Sequence, residues 1–184
     1  MEDLLTALPQ WASGVTLVTF ADGRDDIGVT VSAFLPLSLS PPLVGVSLMA
    51  DSYPAEVFGR ADSPVTLFAV TLLAAGQKML AGRFATSGRP GARLMMDDVP
   101  HRRGAVSGAL IPSGGLAALE CSVVRLVTTG DHMLLVADVS AVPYVSEGGE
   151  PLLRHAGRYR LQLLAVAPDG GDQRYARTVR EVHV

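Results

Sequence analysis

The sequence is poor in the residues that build disulfide frameworks and metal clusters. It has one cysteine, Cys121, and its four histidines are spread between positions 101 and 183. A lone cysteine excludes an internal disulfide framework and a cysteine metal cluster, and it gives no sign of an oxidising compartment. The histidines lack the short spacing of zinc ligands, so no built-in zinc site is predicted.

A strong excess of one charge and a long apolar run are both missing. The chain has 18 acidic and 15 basic residues, a formal net charge of −3, and no basic cluster beyond pairs such as Arg102-Arg103. This balance gives no electrostatic footprint for nucleic acid or an anionic membrane. No apolar run approaches the roughly 20 residues of a membrane span, and the acidic start Met1-Glu2-Asp3 is unlike a signal peptide. We therefore expect a soluble, cytoplasmic protein with no nucleic-acid or membrane partner.

The motifs of several common enzyme classes are also absent. No G-x-G-x-x-G follows a predicted strand, Lys78 is not preceded by the glycines of a phosphate-binding loop, and there is no G-x-S-x-G. These absences argue against Rossmann, P-loop and α/β-hydrolase proteins. A globular chain without an evident nucleophile or metal site fits a protein that takes its chemistry from a cofactor.

The composition that is present predicts one globular domain. Apolar residues make up 48% of the 184 residues and charged residues 18%, which is typical of a folded protein of this length. We expect the domain to extend over residues 1–168. Residues 169–184 are polar and charged and are predicted to form a tail.

Glycine and proline divide the chain into many short segments, as in an all-β protein. There are 19 glycines and 12 prolines, and the segments between them are rich in β-branched residues. Seven strands are predicted, over residues 14–20, 27–34, 43–48, 64–73, 116–129, 133–142 and 158–166. Short connections between them indicate a barrel or sandwich.

A few helices fit between these strands, over residues 4–11, 55–60 and 74–84. In the last of them Met79, Leu80 and Phe84 recur at helical spacing and predict a buried stripe. Because strands and helices do not alternate regularly, the fold class predicted is all-β with appended helices. The irregular segment 86–108 is predicted to be a long loop, and loops of that length are usually functional or mobile.

Five sequence blocks carry a resemblance to a known family. They are WASGVTLVT at 11–19, GVTVSAF at 28–34 with SLSPPLV at 38–44, QKMLAGRFA at 77–85, GLAALEC at 115–121 with GDH at 130–132, and PLL at 151–153 with GRYR at 157–160. In this order the blocks resemble the flavin reductase family, the reductase components of two-component flavin-dependent monooxygenases. The resemblance implies a split β-barrel that binds FMN or FAD near a homodimer interface. It also implies reduction of the flavin by NADH or NADPH and delivery of the reduced flavin to a partner monooxygenase.

The same resemblance assigns roles to particular residues. The implied flavin contacts are Thr30, Val31, Ser32 and Ala33 at the isoalloxazine ring, Ser47, Leu48 and Ser52 at the phosphate-bearing tail, Arg83 and Phe84 on that side, and Thr71 in place of a family asparagine. His132 and Tyr159 are implied to border the face where nicotinamide stacks, and we predict them as the catalytic residues.

Each assignment has a structural alternative. Thr30 and Ser32 share one face of a strand, where hydroxyls and backbone amides suit a planar polar ring, but an ordinary β-branched strand has the same pattern. Ser52 precedes a predicted helix, so it either holds phosphate oxygens or caps that helix. Arg83 either pairs with phosphate or is an ordinary exposed arginine, and Phe84 either stacks on the ring or lies in the core.

The remaining assignments are open in the same way. His132 occupies a turn, where histidines are usually solvated, and Tyr159 is equally consistent with a half-buried structural tyrosine. Glu120, in an apolar strand, is expected to pair with an arginine such as Arg125. Cys121 is expected to be a small core residue.

Two further hypotheses stay open, and departures from the family pattern motivate the first of them. Met49-Ala50-Asp51 stands where the family has a basic residue followed by serines, so a phosphate-side cation is missing. The second hypothesis is therefore a flavin-binding accessory protein without reductase turnover. The third is a split barrel that binds haem or another cofactor.

Overall fold

The computed structural model describes residues 2–23, 25–61 and 65–161. The predicted tail at 169–184 and most of the predicted strand 158–166 lie outside the described residues. The described residues form twelve strands: β1 Ser13–Gly14, β2 Thr16–Asp22, β3 Asp25–Val31, β4 Phe34–Leu39, β5 Pro42–Met49, β6 Leu67–Leu72, β7 His101–Arg103, β8 Leu110–Pro112, β9 Ala117–Thr129, β10 His132–Val145, β11 Leu153–His155 and β12 Arg158–Arg160. The α-helices are α1 Glu2–Ala7, α2 Tyr53–Gly59, α3 Lys78–Phe84 and α4 Ala92–Met95, with 3-10 turns at Leu8–Gln10 and Ala75–Gln77. The prediction of an all-β fold with appended helices is confirmed.

A seven-stranded antiparallel sheet forms the body of the molecule. Its order is β3-β2-β6-β9-β10-β5-β4, so the consecutive strands β3 and β4 lie at opposite edges. Only residues 32 and 33 join them, and the three Cα–Cα steps from Val31 to Phe34 span at most about 11 Å. The sheet must therefore curl until its two edges almost meet. In this join the carbonyl of Ala33 accepts a hydrogen bond from Ser47 N of β5 at 3.0 Å. No β3–β5 pairing is found among the described strands, and the barrel stays partly open there.

The hydrophobic core fills the inside of this barrel. Three phenylalanine rings stack at its centre: Phe20 and Phe58 have centroids 4.6 Å apart, and Phe58 and Phe68 have centroids 5.8 Å apart. Around them lie buried aliphatic side chains from several strands, including Val18, Val46, Val70 and Leu135. Cys121 is fully buried in the same cluster, so its prediction as a core residue is confirmed.

Helix α3 covers the outer face of β2 and forms a second apolar cluster. Leu80 and Phe84 are buried there against Leu17 of β2, so both faces of β2 are covered. The predicted helical stripe is wrong at Met79, which is 74% exposed. Ala81 is buried instead, because Leu80, Ala81 and Phe84 share one face of α3, whereas Met79 and Phe84 are five residues apart and lie about 140° from each other around the helix.

The segment 86–108 is more ordered than a single long loop. It contains α4 and β7, and β7 pairs with β8 in a two-stranded ribbon. These elements have only three or four residues each, too few for a hydrophobic period to show in the sequence. The prediction of one irregular loop is therefore wrong in part.

Glu120 does not pair with Arg125. Its buried carboxylate accepts hydrogen bonds from the backbone N–H of Val106 at 3.0 Å and from the N–H and hydroxyl of Ser107, both at 2.7 Å. These bonds hold the pKa of Glu120 below its ordinary value although burial raises it. The partner is a loop backbone, which sequence pattern alone does not reveal.

The helices of this fold are short, seven residues at most. Within the ranges 2–23, 25–61 and 65–161, none is long and apolar enough to cross a membrane. In the same ranges, no group of three or more His, Cys, Asp or Glu side chains is placed to hold a metal ion.

Candidate functional site

The opening between β3 and β5 forms a cavity of about 800 Å³. This is within the usual range for small-molecule sites, roughly 300–1,000 Å³. Three parts of the chain line it: residues 27–33 on one side, most of 47–54 on the other, and most of 84–91 across one end, with His132 at the mouth. The cavity is therefore a consequence of how the sheet closes.

The exposed edge of β3 supplies backbone hydrogen-bonding groups to this cavity. In the sheet β3 pairs only with β2, and the carbonyl of Gly28 instead accepts from Arg89 Nε at 2.6 Å. Backbone groups alternate in direction along an antiparallel edge strand. The N–H and C=O of Thr30 therefore point the same way as those of Gly28, toward the cavity. Such a row suits a flat ring with polar edges.

The Thr30 hydroxyl binds helix α3. It donates to the carbonyl of Ala81 in α3 at 2.7 Å, which fastens α3 to β3. The same carbonyl accepts a long hydrogen bond of 3.4 Å from the hydroxyl of Tyr159. Burial raises the pKa of Tyr159, opposed by the nearby Arg154. Tyr159 thus lies behind α3, next to the cavity wall rather than on its surface.

Gly28 permits a close approach between β3 and α3. A Cβ atom at this position would lie 2.5 Å from Cε1 of Phe84, too near for any side chain. The Phe84 ring is fully buried, yet its edge reaches the cavity. The core alternative for Phe84 is realised, and Phe84 also lines the cavity.

Ser52 caps α2 at the side of the cavity opposite β3. Its hydroxyl donates to the carbonyl of Met49 at 2.6 Å and accepts from Ala55 N at 3.4 Å. The next residue, Tyr53, donates its hydroxyl to Asp22 at 3.1 Å, and this bond is the main reason why the pKa of Tyr53 is raised. The capping alternative for Ser52 is realised, while Ser52 also lines the cavity.

Arg89 is a cavity residue that the sequence analysis missed. Its guanidinium is half-buried and donates to the carbonyls of Gly28, at 2.6 Å, and Thr86, at 2.8 Å. Burial lowers the pKa of Arg89, although an arginine stays protonated at neutral pH. It stands in the turn Ser87-Gly88-Arg89-Pro90, and the only sequence signal for it was the irregularity of the segment 86–108.

Carboxylates flank the same cavity. Asp25 and Asp51 lie at its rim and are exposed. His132 begins β10, and its Nδ1 lies 2.8 Å from Oδ1 of Asp131. This contact holds the pKa of the Asp131 carboxyl below its ordinary value. The backbone of Asp131 also accepts from Ala50 N at 2.9 Å, which ties the hairpin turn to the end of β5.

Most of the residues predicted for the site come together in the cavity. They are Thr30, Val31, Ser32, Ala33, Ser47, Leu48, Ser52, Phe84 and His132. Three others are placed elsewhere: Thr71, Arg83 and Tyr159.

Thr71 and Arg83 are separated from the cavity for different reasons. Thr71 is buried on the side of β6 that faces Gly115 and Tyr144, because side chains alternate along a strand and its neighbour Val70 points into the barrel. Arg83 points toward α4, where it forms a bidentate ion pair with Asp98. The two partners shift each other's pKa, that of Arg83 upward and that of Asp98 downward.

A partly open antiparallel barrel with a cavity along one bare strand edge defines a class of cofactor-binding barrels. The sequence model of the flavin reductase like domain matches residues 8–161, and the chain belongs to this family. The family and split-barrel predictions are confirmed.

Individual relatives agree with this assignment. An NADH-dependent FAD reductase of Streptomyces globisporus is 35% identical over 165 residues, which cover 89% of this chain and 85% of the relative. The reductase component of a 4-hydroxyphenylacetate 3-monooxygenase of Thermus thermophilus is 35% identical over 154 residues, 84% of this chain and 91% of the relative. The structure of the NADH:FAD oxidoreductase SgcE6 of Streptomyces globisporus, in complex with NAD and FAD fragments, is 31% identical. It aligns with a TM-score of 0.76 over 92% of this chain and 94% of that one.

Proposed function

We propose that this protein is an NAD(P)H:flavin oxidoreductase that reduces FMN or FAD and supplies the reduced flavin to a separate monooxygenase. The observation that carries the proposal is the cavity of about 800 Å³ along the bare edge of β3, in a chain whose relatives are named flavin reductases. The name of the second relative supports a monooxygenase as the recipient of reduced flavin.

The cavity fits a flavin by the chemistry of its walls. Backbone groups of β3 near Thr30 would hold the polar edge of the ring, and the side chains of Val31 and Leu48 would offer apolar contact. The cation Arg89 and the hydroxyl of Ser47 provide polar contacts for an anionic tail. When bound, the flavin supplies the hydride acceptor, which no side chain can replace.

The chain's own contribution to catalysis is positioning. Backbone donors of β3 are already fixed by the sheet, so they would hold the polar edge of a bound flavin without reorganisation during the reaction. His132 at the mouth borders the place for nicotinamide. Tyr159 acts as a positioning residue, because its hydroxyl and that of Thr30 share the carbonyl of Ala81.

We also propose a cytoplasmic homodimer. Among the elements that expose large apolar side chains are β4 and the β9–β10 hairpin, with Leu35, Leu37, Leu39, Val124, Leu126, Val142 and Val145. Exposed apolar surface on this scale is typical of an interface, and a second copy of the chain would cover it. The cytoplasm supplies the NADH or NADPH that the reaction consumes.

Anaerobic mixing of the purified protein with flavin and NADH tests the reductase proposal. We expect the visible absorbance of the oxidised flavin to disappear while NADH is consumed, and flavin or NADH alone to show no change. Tight flavin binding without NADH oxidation would contradict the proposal and favour an accessory flavin-binding protein. The same assay with FMN or FAD, and with NADH or NADPH, gives the preferred pair.

A further inference from the structure

A buried carboxylate in β3 binds two arginines that follow the 84–91 end of the cavity. Asp26 in β3 is only 3% exposed at its side chain, and two arginines bind it. Arg93 donates to Oδ2 from Nε at 3.1 Å and from Nη2 at 2.9 Å. Arg103 donates to Oδ1 at 2.7 Å and to Oδ2 at 2.8 Å. Charge-assisted pairs of this geometry are the stronger hydrogen bonds of proteins.

Both arginines follow residues 84–91, which form one end of the cavity. Arg93 is in α4 and Arg103 is in β7, and Arg89 lies just before α4. Gly91 packs on β3, since a Cβ atom there would be 3.3 Å from the carbonyl oxygen of Asp26. The ion pairs with Asp26 therefore hold the segment at two points beyond Arg89.

Arg89 lies next to this attachment. Its Nε contacts the carbonyl of Gly28, two residues along β3 from Asp26. A segment made of very short elements has little hydrophobic core of its own and tends to open locally. Removing one partner of a buried charge pair leaves the others uncompensated and loosens the contact.

We propose that Asp26 is a positioning residue for flavin binding: through Arg93 and Arg103 it holds the 84–91 wall against β3 and so fixes Arg89 in the cavity. This inference rests on the proposed function, because it concerns the same cavity. Asp26 itself lies outside the cavity lining among the described residues, so it acts only through its arginine partners.

The test compares D26N and R103A with the wild-type enzyme in steady-state NADH oxidation. We expect the KM for flavin to rise about tenfold in D26N and by less in R103A, where Arg93 still binds Asp26, because a misplaced binding group costs affinity for that substrate. The KM for NADH stays within about twofold of the wild-type value. In the double variant the flavin KM equals that of D26N, because Arg103 has no carboxylate to bind on β3 once Asp26 is changed.

Two control variants separate positioning from general destabilisation. V70A opens a space in the barrel core and lowers the Tm, yet it leaves the flavin KM unchanged at a temperature where the protein is folded. D98N breaks the Arg83–Asp98 pair in the same segment without touching β3, and it also leaves the flavin KM unchanged. A D26N enzyme with a lowered Tm and a wild-type flavin KM would overturn the inference.

Measuring flavin binding without NADH tests the role of Asp26 separately from the reductase activity. Equilibrium dissociation constants for FMN and FAD are measured by flavin fluorescence with the same variants. If the wild type binds flavin but does not oxidise NADH, the proposed function fails, while a dissociation constant that rises only in D26N and R103A still supports the positioning role. Failure of the wild-type chain to bind either flavin would overturn both.

Discussion

At the scale of single residues, glycine at position 28 decides how closely α3 approaches β3. The missing side chain lets the ring of Phe84 pack against the backbone of β3. That backbone carries the carbonyl bound by Arg89. The absence of a Cβ atom at Gly28 therefore sets how closely α3 packs on β3, and with it the positions of Phe84 and Arg89 in the cavity wall.

The substitution G28A tests this close packing. The added methyl group forces Phe84 to move, and overpacking of this kind costs about 1–3 kcal/mol of unfolding free energy. We expect a lower denaturant midpoint and a higher KM for flavin. The matched control is G82A in α3, where a Cβ atom has nothing within 4 Å and the helix gains about 1 kcal/mol. An unchanged midpoint in G28A would contradict the packing argument.

Cys121 shows how burial controls a side chain's chemistry. Desolvation, together with the nearby carboxylates Asp138 and Glu120, raises the pKa of its thiol to about 12. The thiolate is the reactive form, so the native protein is expected to be inert to Ellman's reagent at about pH 8. One thiol per chain reacts after unfolding in guanidinium. A rapid reaction of the folded protein would show that the barrel core is open.

At the scale of elements, long periodic segments were predictable and short paired ones were not. The hairpin of β9 and β10 and helix α3 have enough residues for a pattern to appear in the sequence. The ribbon forms because β7 pairs with β8 and Glu120 binds the loop between them. Neither strand is long enough to show a hydrophobic pattern in the sequence. The cavity residues on β3, such as Thr30, were predicted from the family resemblance rather than from a pattern, and Arg89 was missed because it stands in an irregular turn outside the resembling blocks.

The attachment of α4 and β7 to β3 makes part of the stability depend on pH. The hydrogen bond from Arg103 is the largest cause of the lowered pKa of Asp26, with burial opposing it and Arg93 adding to it. Because the folded pKa is below the unfolded one, this contribution is present above the unfolded value and is lost as the pH falls through the folded value.

The free energy of unfolding of the wild type and of D26N, compared between neutral and acidic pH, measures this contribution of Asp26 to stability. We expect a stability difference of about 2–3 kcal/mol at neutral pH, at or below the cost of breaking a buried pair because both arginines are partly exposed. The difference is expected to shrink as the pH falls below the ordinary range of aspartate. Other lowered carboxyls, such as Glu120, are present in both proteins and cancel. A difference that is constant with pH would contradict the assignment.

At the scale of the whole molecule, exposed apolar residues on β4 predict association. Leu39 is 94% exposed and Leu37 is 42% exposed, on a strand that pairs with a neighbour on one side only. An edge of this kind needs protection in solution. A second copy of the chain provides it in the proposed homodimer.

The variant L39D tests the dimer. A charged group at a covered apolar position opposes association, while at an exposed position it changes the stability of a single chain by less than about 0.5 kcal/mol. Light scattering after gel filtration should give the mass of two chains for the wild type and of one chain for L39D. The control L94E, at an exposed residue of α4, is expected to keep the wild-type mass. A wild-type mass of one chain would rule the dimer out.

The short join at residues 32 and 33 has one more consequence. Because covalent connectivity limits how far the edges of β3 and β4 can separate where residues 32 and 33 join them, the spacing of these edges at that end of the cavity is set without a ligand. We therefore expect flavin binding and release to be one-step processes, seen as single-exponential traces whose rate increases linearly with flavin concentration. Rapid release suits an enzyme that supplies its product to another protein.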